Sequence, residues 1–115
     1  MSKFSLTVNQ KEIGFHVGVG FLGFFQSKHQ VTLSEMVYNL EQYPFEWAPK
    51  MMYDSAVYRQ ERDDNTKKLS FSLDNLIDWL DLKGGIESIG LFNAKFREFL
   101  ETHLPDQDTE DSKKK

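Results

Sequence analysis

The chain has 115 residues and a formal net charge of −4, which fits one domain with one modest core and leaves no room for two ordinary ones. It contains no cysteine, so a disulfide framework, a thiolate zinc site and a cysteine nucleophile are excluded. Acidic side chains outnumber basic ones by 18 to 14, the wrong sign for a protein that grips phosphates, so nucleic acid is not an expected partner.

From the N-terminus, Phe4-Ser5-Leu6-Thr7-Val8 alternates apolar and polar residues, the period of a half-buried strand. Asn9-Gln10-Lys11 reads as a turn, and Ile13, Phe15 and Val17 alternate again, with His16 on the other face. This predicts a β-hairpin over residues 4 to 17 that must pack on something else, because an isolated hairpin is marginal in water. Phe21, Leu22 and Phe25 then share one helical face, which Phe24 widens. Thr32-Leu33-Ser34-Glu35 is a capping box, followed by Leu33, Met36, Val37 and Leu40 at helical spacing.

Tyr43-Pro44-Phe45-Glu46-Trp47-Ala48-Pro49 separates this helix from the next, and Pro49 is read as the first turn of a helix running to about Arg62. Glu46, Lys50, Asp54 and Glu61 form a narrow charged stripe on that helix. Trp47, Ala48, Met51, Met52, Tyr53, Ala56 and Tyr58 fill most of its remaining girth, so it is either central to the core or covers two partners. After a polar loop, Leu69-Ser70-Phe71 suggests a third short strand. Ser72 caps a helix with Leu73, Leu76, Ile77 and Leu80 inward, Asp74, Asp78 and Asp81 outward, and Gly84 as its stop. A last helix spans about residues 87 to 103, with Ile89, Phe92, Phe96, Phe99 and Leu100 on one stripe and Pro105 beyond it.

The expected fold class is therefore α+β and mainly helical, an N-terminal β-hairpin packed on four to five helices. Residues 1–104 form the globular domain. Residues 105–115 form a polar tail expected to be disordered, because it offers almost no apolar surface to offset its ordering entropy. The longest apolar run, Val17 to Phe25, is nine residues, about half of what a helix needs to cross a bilayer. The first residues, Met1 to Thr7, lack the apolar centre of a signal peptide. An intracellular protein with no membrane partner is the expectation.

Motifs that carry chemistry are scarce. Gly18-Val19-Gly20-Phe21-Leu22-Gly23 is a literal G-x-G-x-x-G after a predicted strand. In a dinucleotide fold a second parallel strand follows, ending in an acidic residue about twenty residues further on. Here Thr32 to Glu35 opens another helix instead, so packing and turns are the expected roles of the glycines. His16, His29 and His103 lack the spacing of a helical metal pair, and the carboxylates of Asp74, Asp78 and Asp81 read as a solvated face. No catalytic residue, metal site or cofactor is expected. The aromatic content is high, with ten Phe among 14% aromatic residues, and a chain this short has little room to bury all of it. Phe21, Phe24, Phe25, Met51, Met52 and Tyr58 are the candidate partner-binding residues, because Met and aromatic side chains suit adaptable apolar contact. For each of them taken singly, core packing is the commoner role.

The order of segments carries a resemblance. A short strand, the turn and second strand Asn9-Gln10-Lys11-Glu12-Ile13-Gly14-Phe15, and Gly18-x-Gly20-Phe21-Leu22 opening a helix come first. A short helix, Pro44-Phe45, Pro49-Lys50-Met51-Met52-Tyr53-Asp54-Ser55-Ala56-Val57-Tyr58, Asp78-Trp79-Leu80-Asp81 and a Phe-rich last helix follow. Over roughly residues 4 to 103 this resembles the tail assembly chaperones of long-tailed bacteriophages. The resemblance implies a non-enzymatic protein of the infected host's cytoplasm, absent from the finished virion. Its partner is then the apolar, helical tape-measure protein, kept soluble until tail-tube subunits assemble around it. Many such chaperones are made in two lengths by ribosomal frameshifting, the longer form recruiting the tail-tube protein. Under that scheme this chain is the short form, and Lys113-Lys114-Lys115 is compatible with an A-rich slippery site. Self-association is open to it as well. Two other readings compete: a small phage protein that binds or inhibits a host protein, and a nucleotide-binding domain built on Gly18, Gly20 and Gly23.

Overall fold

The computed structural model describes residues 3–103. The expected polar tail and its terminal lysines lie outside the described residues. The chain forms two strands, β1 (Lys3–Val8) and β2 (Lys11–His16), and five helices: α1 (Val19–His29), α2 (Leu33–Gln42), α3 (Pro44–Asp63), α4 (Leu73–Leu80) and α5 (Gly85–His103). This is the α+β, mainly helical architecture expected from the sequence.

The strands pair antiparallel, from Lys3 opposite His16 to Val8 opposite Lys11. That register leaves a two-residue turn, Asn9-Gln10, with both residues at positive φ (52° and 63°). Such a turn matches the right-handed twist of the strands it joins. β2 rests on α3 and β1 on α5. Two helix serines meet the outward backbone groups of the hairpin. Ser55 Oγ accepts from the His16 N–H (2.9 Å) and donates to the His16 carbonyl (3.0 Å), and Ser88 Oγ lies 3.3 Å from the Thr7 carbonyl. Strand edges satisfied in this way are poor templates for pairing with another chain.

Both capping sequences act as their residues dictate. Thr32 Oγ1 accepts from the Glu35 N–H (3.1 Å) while Glu35 Oε1 accepts from the Thr32 N–H (2.8 Å). Ser72 and Asn75 make the same reciprocal pair at 3.1 and 3.0 Å. α3 starts five residues earlier than the sequence suggests: Pro44 occupies its first position and Pro49 lies inside. Pro44 suits a position whose N–H is unused, whereas Pro49 has no N–H to offer the Phe45 carbonyl. The expected third strand near residue 70 is absent among the described residues, where Leu69 and Phe71 pack on the core without pairing.

α3 is the central element and touches α1, α2, α4, α5 and β2. It carries Ala48, Met51, Met52 and Ala56 into the core. Phe4, Phe15 and Phe92 stack beneath the hairpin with ring centroids 5.5 to 5.9 Å apart. Met36 and Leu40 from α2, Leu76 and Leu80 from α4, and Phe96 and Phe99 from α5 complete one contiguous cluster.

Candidate partner-binding surface

The six residues expected to meet a partner divide into two groups. Phe21, Phe25, Met51 and Met52 have no exposed surface at all, which corrects the expectation for these four. α3 is surrounded on every side, and α1 lays Phe21 and Phe25 against it, so these side chains fill the core and reach no partner in this conformation. Phe24 and Tyr58 are half-buried and pack against each other at 5.8 Å. Tyr58 explains one glycine of the G-x-G-x-x-G: a Cβ built on Gly20 would overlap the Tyr58 hydroxyl. Gly23 faces open space, and the element after α1 is α2, with no second parallel strand among the described residues.

Asp54 was expected on the narrow charged stripe of α3, and the structure buries it. Its carboxylate is buried, accepts from Lys28 Nζ at 2.7 Å and lies 2.7 Å from His29 Nε2. A carboxylate only accepts, so Nε2 carries the proton. Lys28 and His29 form the last turn of α1, where positive charge also suits the helix dipole. No hydroxyl bonds to His29 among the described residues, and Ser55 is occupied by the His16 backbone. The constellation is a clasp between α1 and α3, and nothing in it resembles a nucleophile with its base. His16 stacks edge-on against Tyr58 at 5.2 Å. Its imidazole is held below the usual 6.5, first by burial and then by the positive charges of Lys3, Arg62 and Arg59. His103 Nδ1 lies 3.0 Å from the Phe99 carbonyl. Among the described residues no group of three His, Asp or Glu side chains converges to hold a metal ion.

The surplus apolar surface lies elsewhere, in a cleft of about 480 Å³ where the start of α3, the end of α4 and the start of α5 meet. Phe45 is 65% exposed, Ile86 67%, Leu82 51% and Ile77 40%, and all four line this cleft over a floor formed by Pro49, Leu80 and Ile89. Ile77 was expected to point inward. α4 turns Leu76 and Leu80 into the core instead and leaves Ile77 on the rim.

The corner between α4 and α5 sets the shape of the cleft. Leu82 N–H donates to the Trp79 carbonyl (3.1 Å) and Gly85 N–H to the Leu82 carbonyl (3.0 Å). Gly84 holds φ +90°, which favours glycine, and a Cβ on Gly85 would overlap the Leu80 carbonyl. With backbone packed inside the corner, Leu82 and Ile86 have nowhere to go but outward.

The chain matches no protein-family model, no curated protein and no solved structure.

A second cleft, of about 430 Å³, lies between β2, α3 and residues 67–71. It mixes Glu12 and Asp63 with Arg59, Lys67 and Lys68, and Arg59 is already engaged by the Phe4 carbonyl (3.1 Å) and Asp63 (3.3 Å). No helix of the described residues is long and apolar enough to cross a membrane. Val19, Tyr38 and Leu91 are exposed outside the apolar cleft, and singly exposed apolar side chains are ordinary.

Proposed function

We propose that this chain is a non-enzymatic binding protein for an apolar helix, of the tail-assembly-chaperone kind. In this reading it holds a helical tape-measure protein soluble in the host cytoplasm until tail-tube subunits assemble around that client, and it is absent from the finished virion. The observation that carries the reading is the cleft of Phe45, Ile77, Leu82 and Ile86, an exposed apolar surface with a corner held in shape by its own backbone. Grooves of this kind accept the apolar face of a helix.

The energetics suit a chaperone better than a permanent partner. Covering four partly exposed side chains contributes roughly 3–7 kcal/mol. Association costs about 4 kcal/mol or more in lost freedom, so a single site is weak. Many copies along one long client cover it by mass action when the chain is abundant, and each copy still leaves readily. The net charge of −4 favours solubility of the loaded complex.

Co-expression with a tape-measure protein tests the proposal. The client is expected in the soluble fraction with the wild-type chain and in the pellet without it. A client that stays insoluble beside a folded chain overturns the proposal. A tight one-to-one host partner that excludes the client would favour the host-binding reading instead.

A further inference from the structure

The rim of the apolar cleft is acidic. Asp74 and Asp78 on α4 and Asp81 at its C-terminal cap follow one another at helical spacing, all three are exposed, and Asp81 lines the cleft. Ile77 lies three residues from Asp74 and four from Asp81, so it is a surface neighbour of both. Glu87 stands beside Ile86 on the opposite wall, and Lys83 is the one cation among the lining residues. Lys50, next to Pro49 on α3, has its ammonium 4.7 Å from the centre of the Trp47 ring.

These carboxylates are also unpaired. Four acidic side chains of the described residues find partners: Asp54 with Lys28 and His29, Asp63 with Lys3 and Arg59, Glu41 with Arg97, and Glu98 with Lys95. Among the described residues none of Asp74, Asp78, Asp81 and Glu87 forms an ion pair. Asp81 and Glu87 line the apolar slot with Lys83 as the one cation, and Asp74 flanks Ile77 one turn earlier, so the charge at the slot is net negative.

We propose that the occupant of this cleft is an amphipathic helix whose apolar stripe is flanked by lysine or arginine. This deepens the proposed function and rests on it: the apolar stripe supplies contact with Phe45, Ile77, Leu82 and Ile86, and the basic flanks supply orientation and choice of client. An acidic rim repels acidic helices more strongly than it strengthens the grip on basic ones, so it acts chiefly as a filter among apolar helices.

The test uses two synthetic peptides about five helical turns long with the same leucine stripe, one flanked by lysine and one by glutamate. Binding is followed by fluorescence anisotropy at low ionic strength. The lysine peptide is expected to bind about tenfold more tightly than the glutamate peptide, as three or four exposed ion pairs allow. Added salt closes the gap. Reversing the rim with Asp74→Lys, Asp81→Lys and Glu87→Lys together inverts the preference. These residues are exposed, and an unchanged circular dichroism spectrum verifies that the variant is folded.

Equal binding of the two peptides overturns the charge rule and leaves the apolar-helix reading standing. Binding of neither peptide to a folded wild-type chain overturns both, as does a chain that instead covers its cleft with a second copy. A lysine peptide whose affinity is unmoved by rim reversal and by Ile86→Asp overturns the assignment to this cleft.

Discussion

A methyl group added at Gly20 meets the Tyr58 hydroxyl, whereas one added at Gly23 meets open space. Alanine in place of glycine inside a helix contributes about 0.5–1 kcal/mol, because the unfolded chain loses freedom it would otherwise regain. Gly23→Ala should show this gain undiluted. At Gly20, the second residue of α1, the gain is smaller and the ring of Tyr58 must move. That ring is held by His16 at 5.2 Å, Phe24 at 5.8 Å and Phe21 at 6.4 Å, with the Arg62 guanidinium 5.8 Å from its centre. Forcing a packed side chain aside costs about 1–3 kcal/mol, so Gly20→Ala is expected to destabilise by about 1–2 kcal/mol net. Tyr58→Phe removes the worst overlap but leaves the ring carbon that bore the hydroxyl 2.9 Å from the new Cβ. In that background the penalty should shrink by about 1 kcal/mol without vanishing. Urea unfolding of the five chains, wild type and double variant included, measures all of this, provided the slope is unchanged. A Gly20→Ala protein as stable as Gly23→Ala would refute the claim that Gly20 is present for the approach of Tyr58.

Further outcomes are expected. Asp54→Ala should cost about 2 kcal/mol in thermal unfolding, below the range for fully buried ion pairs because Lys28 remains half-exposed and can turn to water. Lys28→Ala should cost about 1–2 kcal/mol, because it leaves the buried Asp54 carboxylate to His29. His16 is held below 6.5 in the fold, so the unfolded chain takes up the proton first as pH falls. Stability from this group should therefore drop from pH 7 downward through 6.5 until the folded value is reached, and His16→Leu should flatten that part of the profile in denaturant titrations at each pH. Asp63, lowered first by its bond to Lys3, acts in a separate window: its contribution is present above 3.8 and lost as pH falls further. Met52→Ala should cost about 2–5 kcal/mol and weaken client binding only through unfolding. Phe45→Ser should leave stability within about 0.5 kcal/mol and still reduce client solubility on co-expression.

What could be read in the sequence was whatever is written locally. Thr32 with Glu35, Ser72 ahead of α4, and the alternation of Phe4 to Val8 and Ile13 to Val17 each state their element within a few residues. The preference of proline for a helix's first position was sound but attached to Pro49, when Pro44 holds that place and packing carries α3 through the second proline. The excess of aromatic and apolar residues suggested a surplus for the surface, but periodicity could not assign it. A helix touched from all sides hides Met51 and Met52 on adjacent faces, and Asp54 disappears with them because Lys28 and His29 at the end of α1 meet it.

The residues that do form the apolar surface sit where periodicity says nothing. Leu82 lies in a corner between helices, Ile86 one residue before the expected start of α5, and Phe45 in a segment read as a connection. Their one signal was the short run Leu82-Lys83-Gly84-Gly85-Ile86, two large apolar side chains flanking a glycine turn that has no room to bury them.

Hydrogen exchange of the chain alone and bound to a tape-measure segment tests the central claim most directly, because it reports where the client lies without any substitution. Backbone amides over residues 77–89 and around Phe45 are expected to gain protection in the complex, while α2 and the far end of α5 stay unchanged. Protection confined to the faces bearing Tyr38 and Leu91, with residues 77–89 exchanging as in the free chain, would contradict the account.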